Sequence, residues 1–105
     1  MVKEGFVKAC EEDKLSNNTP MVLVLNGVEV LLFKVGAKVF ATSARCTHRD
    51  CSLGEGWLDK GYLVCGCHLS KFDPESGKVV EGPATAPLKV IEALVEDGFV
   101  WVKVS

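Results

Sequence analysis

Cys46-Thr47-His48 and Cys65-Gly66-Cys67-His68 are the segments of this 105-residue chain best equipped for chemistry. Each supplies a thiol and an imidazole, in the spacings C-x-H and C-x-x-H, and the sixteen residues 49 to 64 lie between them. Two cysteines and two histidines could close a tetrahedral zinc site, although zinc fingers usually pair cysteine with cysteine and histidine with histidine. Here the two types alternate along the chain. That alternation suits a two-iron cluster in which the cysteines of both loops hold one iron and the histidines hold the other. No acid-base pair, activated nucleophile or phosphate-binding loop accompanies these residues. With both histidines engaged as ligands, none is left to act as a base, and a four-ligand cluster has no open position for a substrate. The expectation is an electron carrier that is not itself an enzyme.

The same residues resemble the motifs of the Rieske [2Fe-2S] family. The likeness runs through CTHRDC at 46–51, CGCHLS at 65–70, and Gly82-Pro83-Ala84, which is similar to the family's cluster-covering proline loop. It implies one Rieske-type [2Fe-2S] cluster per chain, with Cys46 and Cys65 on an inner iron and His48 and His68 on an outer iron nearer the surface. It also implies a disulfide between Cys51 and Cys67. That bridge is typical of the higher-potential members in cytochrome bc-type complexes and is generally lacking in the ferredoxins that serve aromatic-ring dioxygenases. A bridge between the two loops would stabilise the fold by about 2–4 kcal/mol. Cys10 stands outside the motif and reads as a small apolar strand residue.

Two further positions bear on the reduction potential. In the family's higher-potential members, a serine at the place of Ser70 donates to a bridging sulfide, and a tyrosine two residues later donates to a cysteine sulfur. This chain has Ser70 but carries Phe72 in the second position, which has no hydroxyl to donate. The resemblance therefore implies an intermediate potential. Asp73 and Glu75 flank Pro74 and read as a turn.

Partner choice is legible beside the histidines. Quinol-oxidising relatives usually carry leucine directly after the first histidine, where this chain has Arg49. A fixed cation suits an acidic protein patch better than a lipid-soluble quinol. Leu69, next to His68, keeps one apolar contact. The implied partners are a reductase and an acceptor protein such as an oxygenase. The alternatives are the separated head of a quinol-oxidising cytochrome bc-type complex and, from a different class, a zinc-stabilised binding module. A thiol–disulfide oxidoreductase using Cys51 and Cys67 lacks the C-x-x-C spacing.

The elements that position these loops read as β-structure. Strands are expected at Phe6 to Cys10, Thr19 to Leu25, Val28 to Val35, Lys38 to Thr42, Leu88 to Val95 and Phe99 to Val104. Asn26-Gly27 and Asp97-Gly98 are hairpin turns, because both residues of each pair accept positive φ. The predicted fold is all-β, a single Rieske domain over residues 1–105, with antiparallel strands forming a base and a loop-built cluster-binding insert at about 43–87. Trp57, Tyr62, Phe99 and Trp101 are expected in core or cover positions.

Composition supports this reading by exclusion. A hydrophobic fraction of 48% and a charged fraction of 25% exclude a disordered chain. A net charge of -2 lacks the basic balance that selects nucleic acid. No apolar run reaches the ~18 residues of a membrane span, and no secretory leader is visible at the N-terminus, so a cytoplasmic location is expected.

Overall fold

The computed structural model describes residues 5–15, 19–46, 51–67, 69–82 and 86–104. The first strand, β1, covers Phe6–Glu11. Asn26 and Gly27 hold φ of +51° and +78°, as a type I′ turn requires, and join β2 (Met21–Leu25) to β3 (Val28–Val35). The turn fixes the register, with Leu25 opposite Val28 and Met21 opposite Leu32. Gly36, at φ +62°, helps to turn the chain into β4 (Lys38–Ser43).

The third strand is the wall shared by two cores. Its Val30, Leu31, Leu32 and Phe33 are all fully buried, which requires cover on both faces. Side chains alternate across a strand. Val30 and Leu32 accordingly join Leu15, Ala41, Val100 and Val102, while Leu31 and Phe33 join Ala44, Leu53, Leu58, Leu63 and Phe72 of the insert. The continuous apolar run of β3 is the sequence signature of this double burial.

The insert is more regular than its glycine-rich composition implies. It holds a four-stranded antiparallel sheet of β5 (Trp57–Asp59), β6 (Tyr62–Val64), β7 (Lys71–Phe72) and β8 (Val79–Glu81), in that order. Lys60 and Gly61, at φ +51° and +86°, form the turn between β5 and β6. With two or three residues per strand, hydrophobic alternation has no length over which to register. Leu58, Leu63 and Phe72 lie opposite one another across the sheet and face the insert core.

Two further expectations need correction. The strand foreseen over Leu88 to Val95 is broken at Glu92. Ahead of it, β9 (Val90–Ile91) pairs with Thr42 and Ala41 of β4, and beyond it β10 (Ala93–Glu96) pairs with β11 (Phe99–Lys103). One segment thus serves two sheets, β2-β3-β4-β9 and β1-β11-β10. Asp97 and Gly98, at φ +54° and +79°, close the β10–β11 hairpin as expected. The second correction concerns Trp57 and Tyr62, which are 43% and 39% exposed and lie on the face of their hairpin opposite to Leu58 and Leu63. Phe99 and Trp101 are partly buried, with the Lys8 ammonium 4.0 Å from the Phe99 ring centroid.

Candidate metal centre

Two hairpin tips carry the cysteines, and the backbone closes both in the same way. After β4, Arg45 bridges to Ser52, and the Leu53 N–H donates to the Ala44 carbonyl at 2.8 Å. The Cys46 N–H then donates to the Cys51 carbonyl at 2.7 Å. Between β6 and β7, the Cys65 N–H donates to the Ser70 carbonyl at 2.9 Å, and the Leu69 N–H donates to the Cys65 carbonyl at 3.0 Å. In each loop a cysteine is clamped to the residue five positions later. A disulfide between Cys51 and Cys67 ties the two loops together, at a Cα–Cα distance of 6.5 Å.

Neither Cys46 nor Cys65 enters a disulfide, and both are buried in one apolar cluster with Leu53, Leu58, Leu63 and Phe72. Two soft sulfur donors from separate, cross-linked loops, packed among apolar side chains, fit an iron–sulfur cluster and do not fit a hard cation. Ser70 is fully buried at the base of the second loop, and Phe72 is fully buried in the insert core. His48, Arg49, His68, Pro83 and Ala84 lie outside the described residues.

Close backbone approaches hold this arrangement, and glycines permit them. A Cβ at Gly82 would sit 2.6 Å from the Ser70 Cα, so the chain leading into Pro83 is pressed onto the second loop. A Cβ at Gly56 would be driven into the Val64 carbonyl, next to Cys65. Sequence reasoning singled out Gly82 and missed Gly56, which has no turn signature of its own. Leu69 takes φ +63°, a left-handed conformation costing an L-residue about 1–2 kcal/mol, and its side chain is 57% exposed.

Several of the surrounding charges are paired or bonded. Asp73 Oδ1 accepts from the Glu75 N–H at 2.8 Å, which makes the turn around Pro74 an Asx turn. Lys71 pairs with Asp59 at 3.3 Å, while Arg45 pairs with Glu29 at 3.1 Å. Cys10 sits half-buried in β1, where burial pushes its thiol up and the Glu11 carboxylate adds to the effect. A thiol held protonated is a poor nucleophile, in keeping with a packing role.

The family model of the Rieske [2Fe-2S] domain matches residues 5–92. The chain belongs to the Rieske [2Fe-2S] family. The cofactor of this Rieske protein is therefore the [2Fe-2S] cluster, and its function is electron carriage of the ferredoxin kind. It is 36% identical to the biphenyl dioxygenase ferredoxin subunit of Pseudomonas sp. (strain KKS102), over 95% of this chain and 93% of that one. It is also 31% identical to the cytochrome b6-f complex iron-sulfur subunit of Chlorobaculum tepidum, over 85% of this chain and 48% of that subunit. Among solved structures, a complex of reduced oxygenase and oxidized ferredoxin in carbazole 1,9a-dioxygenase contains a similar chain. The TM-score is 0.88 at 30% identity, covering 96% of this chain and 94% of that one. Among the described residues of this Rieske protein, no helix is long and apolar enough to cross a membrane.

Proposed function

We propose that this Rieske protein is a cytoplasmic shuttle that takes one electron from a reductase and hands it to an acceptor protein of the oxygenase class, transforming no substrate itself. The observation that carries the reading is the pair of buried thiols, Cys46 and Cys65, presented by two loops with identical backbone closure and a shared disulfide. Cys46 and Cys65 hold the inner iron and His48 and His68 the outer one. Bound there, the cluster supplies a reversible one-electron couple. The Cys51–Cys67 bridge resists separation of the loops, and Gly82-Pro83-Ala84 covers the site against water. Arg49 and Leu69 meet the partner beside the histidines. The relatives' names, a dioxygenase ferredoxin subunit and a ferredoxin in complex with an oxygenase, support this choice of acceptor.

The test is transfer in solution. Reduced protein mixed with the oxidised oxygenase component of carbazole 1,9a-dioxygenase is expected to lose its electron to that component, and the protein alone to convert no aromatic substrate. Failure of transfer to oxygenases, together with rapid oxidation of a soluble quinol analogue, would favour the second reading. That reading, the head of a quinol-oxidising complex, rests on the likeness to the cytochrome b6-f iron-sulfur subunit.

Ser70 is proposed as a tuning residue. Its hydroxyl is buried at the base of the second loop, where donation toward the cluster favours the more negative, reduced state. A differential contribution of about 1.4 kcal/mol corresponds to about 59 mV for one electron. Ser70→Ala is expected to lower the potential by roughly that amount, and Phe72→Tyr to raise it by supplying a second hydroxyl. Protein-film voltammetry reads both shifts, and an unchanged potential in Ser70→Ala removes Ser70 from this role.

A further inference from the structure

We infer that Gly56 is a positioning residue of the metal centre, and that its lack of a side chain sets the separation of Cys46 and Cys65 independently of the disulfide. The inference rests on the proposed ligand set and adds what fixes the two inner ligands relative to each other. The β5–β6 pairing ends with Trp57 opposite Val64, and Gly56 and Cys65 are the next residues outward on the two chains. A Cβ at Gly56 would run into the Val64 carbonyl, the group bonded directly to the Cys65 nitrogen. The two backbones lie closer here than a side chain allows.

Backbone conformation does not account for glycine at this position. Gly56 has a φ of -90°, in the extended region that any residue adopts, so the close approach alone demands it. The approach is returned from the other side. A Cβ at Gly66 would stand 3.0 Å from the Glu55 carbonyl, and Gly66 likewise has no positive φ. Each segment thus turns a carbonyl onto a glycine of the other, Val64 onto Gly56 and Glu55 onto Gly66.

Hydrogen bonds carry this contact to the first loop. The Gly56 N–H donates to the Leu53 carbonyl at 3.0 Å, and the Leu53 N–H donates to the carbonyl of Ala44, two residues before Cys46. Leu53 is fully buried in the cluster that also holds both cysteines. From the base, the Val22 side chain presses on the same turn, where a Cβ at Gly54 would stand 2.6 Å from Val22 Cγ2. The turn at 53–56 is therefore wedged between β2 and the second loop. A methyl group added at Gly56 must displace the peptide ahead of Cys65 or, through Leu53, the chain leading to Cys46. Ligands held at a fixed separation lose little on binding iron and move little when the electron arrives or leaves.

The experiment times iron release from dithionite-reduced holoprotein to a ferrous chelator, well below the melting temperature, and records the EPR spectrum of each reduced variant. Gly56→Ala is expected to release iron about tenfold faster, an ordinary effect of overpacking, and Gly66→Ala about threefold faster, because its contact is less severe. Both should shift and broaden the EPR signal. Gly36, in the β3–β4 turn at φ +62°, has open space where its Cβ would stand, so Gly36→Ala loses stability through backbone strain alone. It should keep the wild-type spectrum and release rate. Combined with Cys51→Ser and Cys67→Ser, Gly56→Ala should speed release by about threefold or more beyond the product of the separate effects, because each tie masks the loss of the other. Spectra and release rates in Gly56→Ala and Gly66→Ala that match Gly36→Ala, or bridge and glycine effects that simply multiply, would overturn the proposal. If Gly56→Ala does not fold, Gly66→Ala decides by the same criteria. A wild-type protein that binds no iron would instead overturn the ligand set beneath it.

Discussion

Serine in place of either Cys46 or Cys65 is expected to give a colourless protein whose iron falls from two atoms per chain to almost none. Both side chains are buried, one in each loop, so neither can be replaced by a neighbouring donor or by water without opening the insert core. A serine hydroxyl is a harder and far less acidic ligand than a thiol, and it would be left buried in apolar surroundings. Cys10→Ser is the matched control, because Cys10 packs in β1 against the base core and should leave colour and iron intact. Iron analysis and visible absorption on the purified variants check this. Retention of a full complement of iron in Cys46→Ser or Cys65→Ser would remove that residue from the ligand set.

Removing the bridge with the Cys51→Ser, Cys67→Ser double variant is the second large effect. The bridge spans 16 residues of sequence, and for a loop of that length the chain-entropy argument gives about 3 kcal/mol. In a domain of this size that corresponds to a melting temperature lower by roughly 10–20 °C. The same variant should lose its cluster faster on warming, since the backbone clamps at Cys46 and Cys65 would then hold each loop without a covalent tie to the other. Thermal unfolding followed by circular dichroism, alongside bleaching of the cluster absorption, measures both. A melting temperature within about 2 °C of the wild type would show that packing of the insert alone fixes the loops.

The sequence was most readable where a single residue type decides local geometry. Asn26-Gly27 and Asp97-Gly98 placed two hairpins, because few other pairs accept positive φ twice in succession. Lys60-Gly61 makes the same kind of turn, yet lysine is no turn former and its neighbours are too short to show alternation, so the β5–β6 hairpin was hidden. The break at Glu92 was hidden for another reason: a strand that changes partner keeps its apolar character while its hydrogen bonds are redirected. Trp57 and Tyr62 were misjudged because aromatic residues are more often covered than exposed, and only the register with Leu58 and Leu63 shows which face they take.

The candidate site was legible through chemistry more than through pattern. Cysteine and histidine at fixed spacing mark ligands whatever the surrounding fold, and the Cys51–Cys67 pairing implied by family resemblance is present in the structure. The close approaches at Gly56 and Gly82 depend on which loops meet in space. A linear sequence carries that information only through glycines that also have commoner explanations.

The central claim is that Cys46, Cys65, His48 and His68 hold one mixed-ligand two-iron cluster. Pulsed EPR of the reduced holoprotein tests it most directly, because it counts the nitrogens coupled to the electron spin. The account predicts coupling to two histidine nitrogens, and loss of one coupling set with the cluster's stability in either His48→Cys or His68→Cys. A reduced cluster with no strong nitrogen coupling, or a protein that purifies with zinc and no EPR signal, would contradict it.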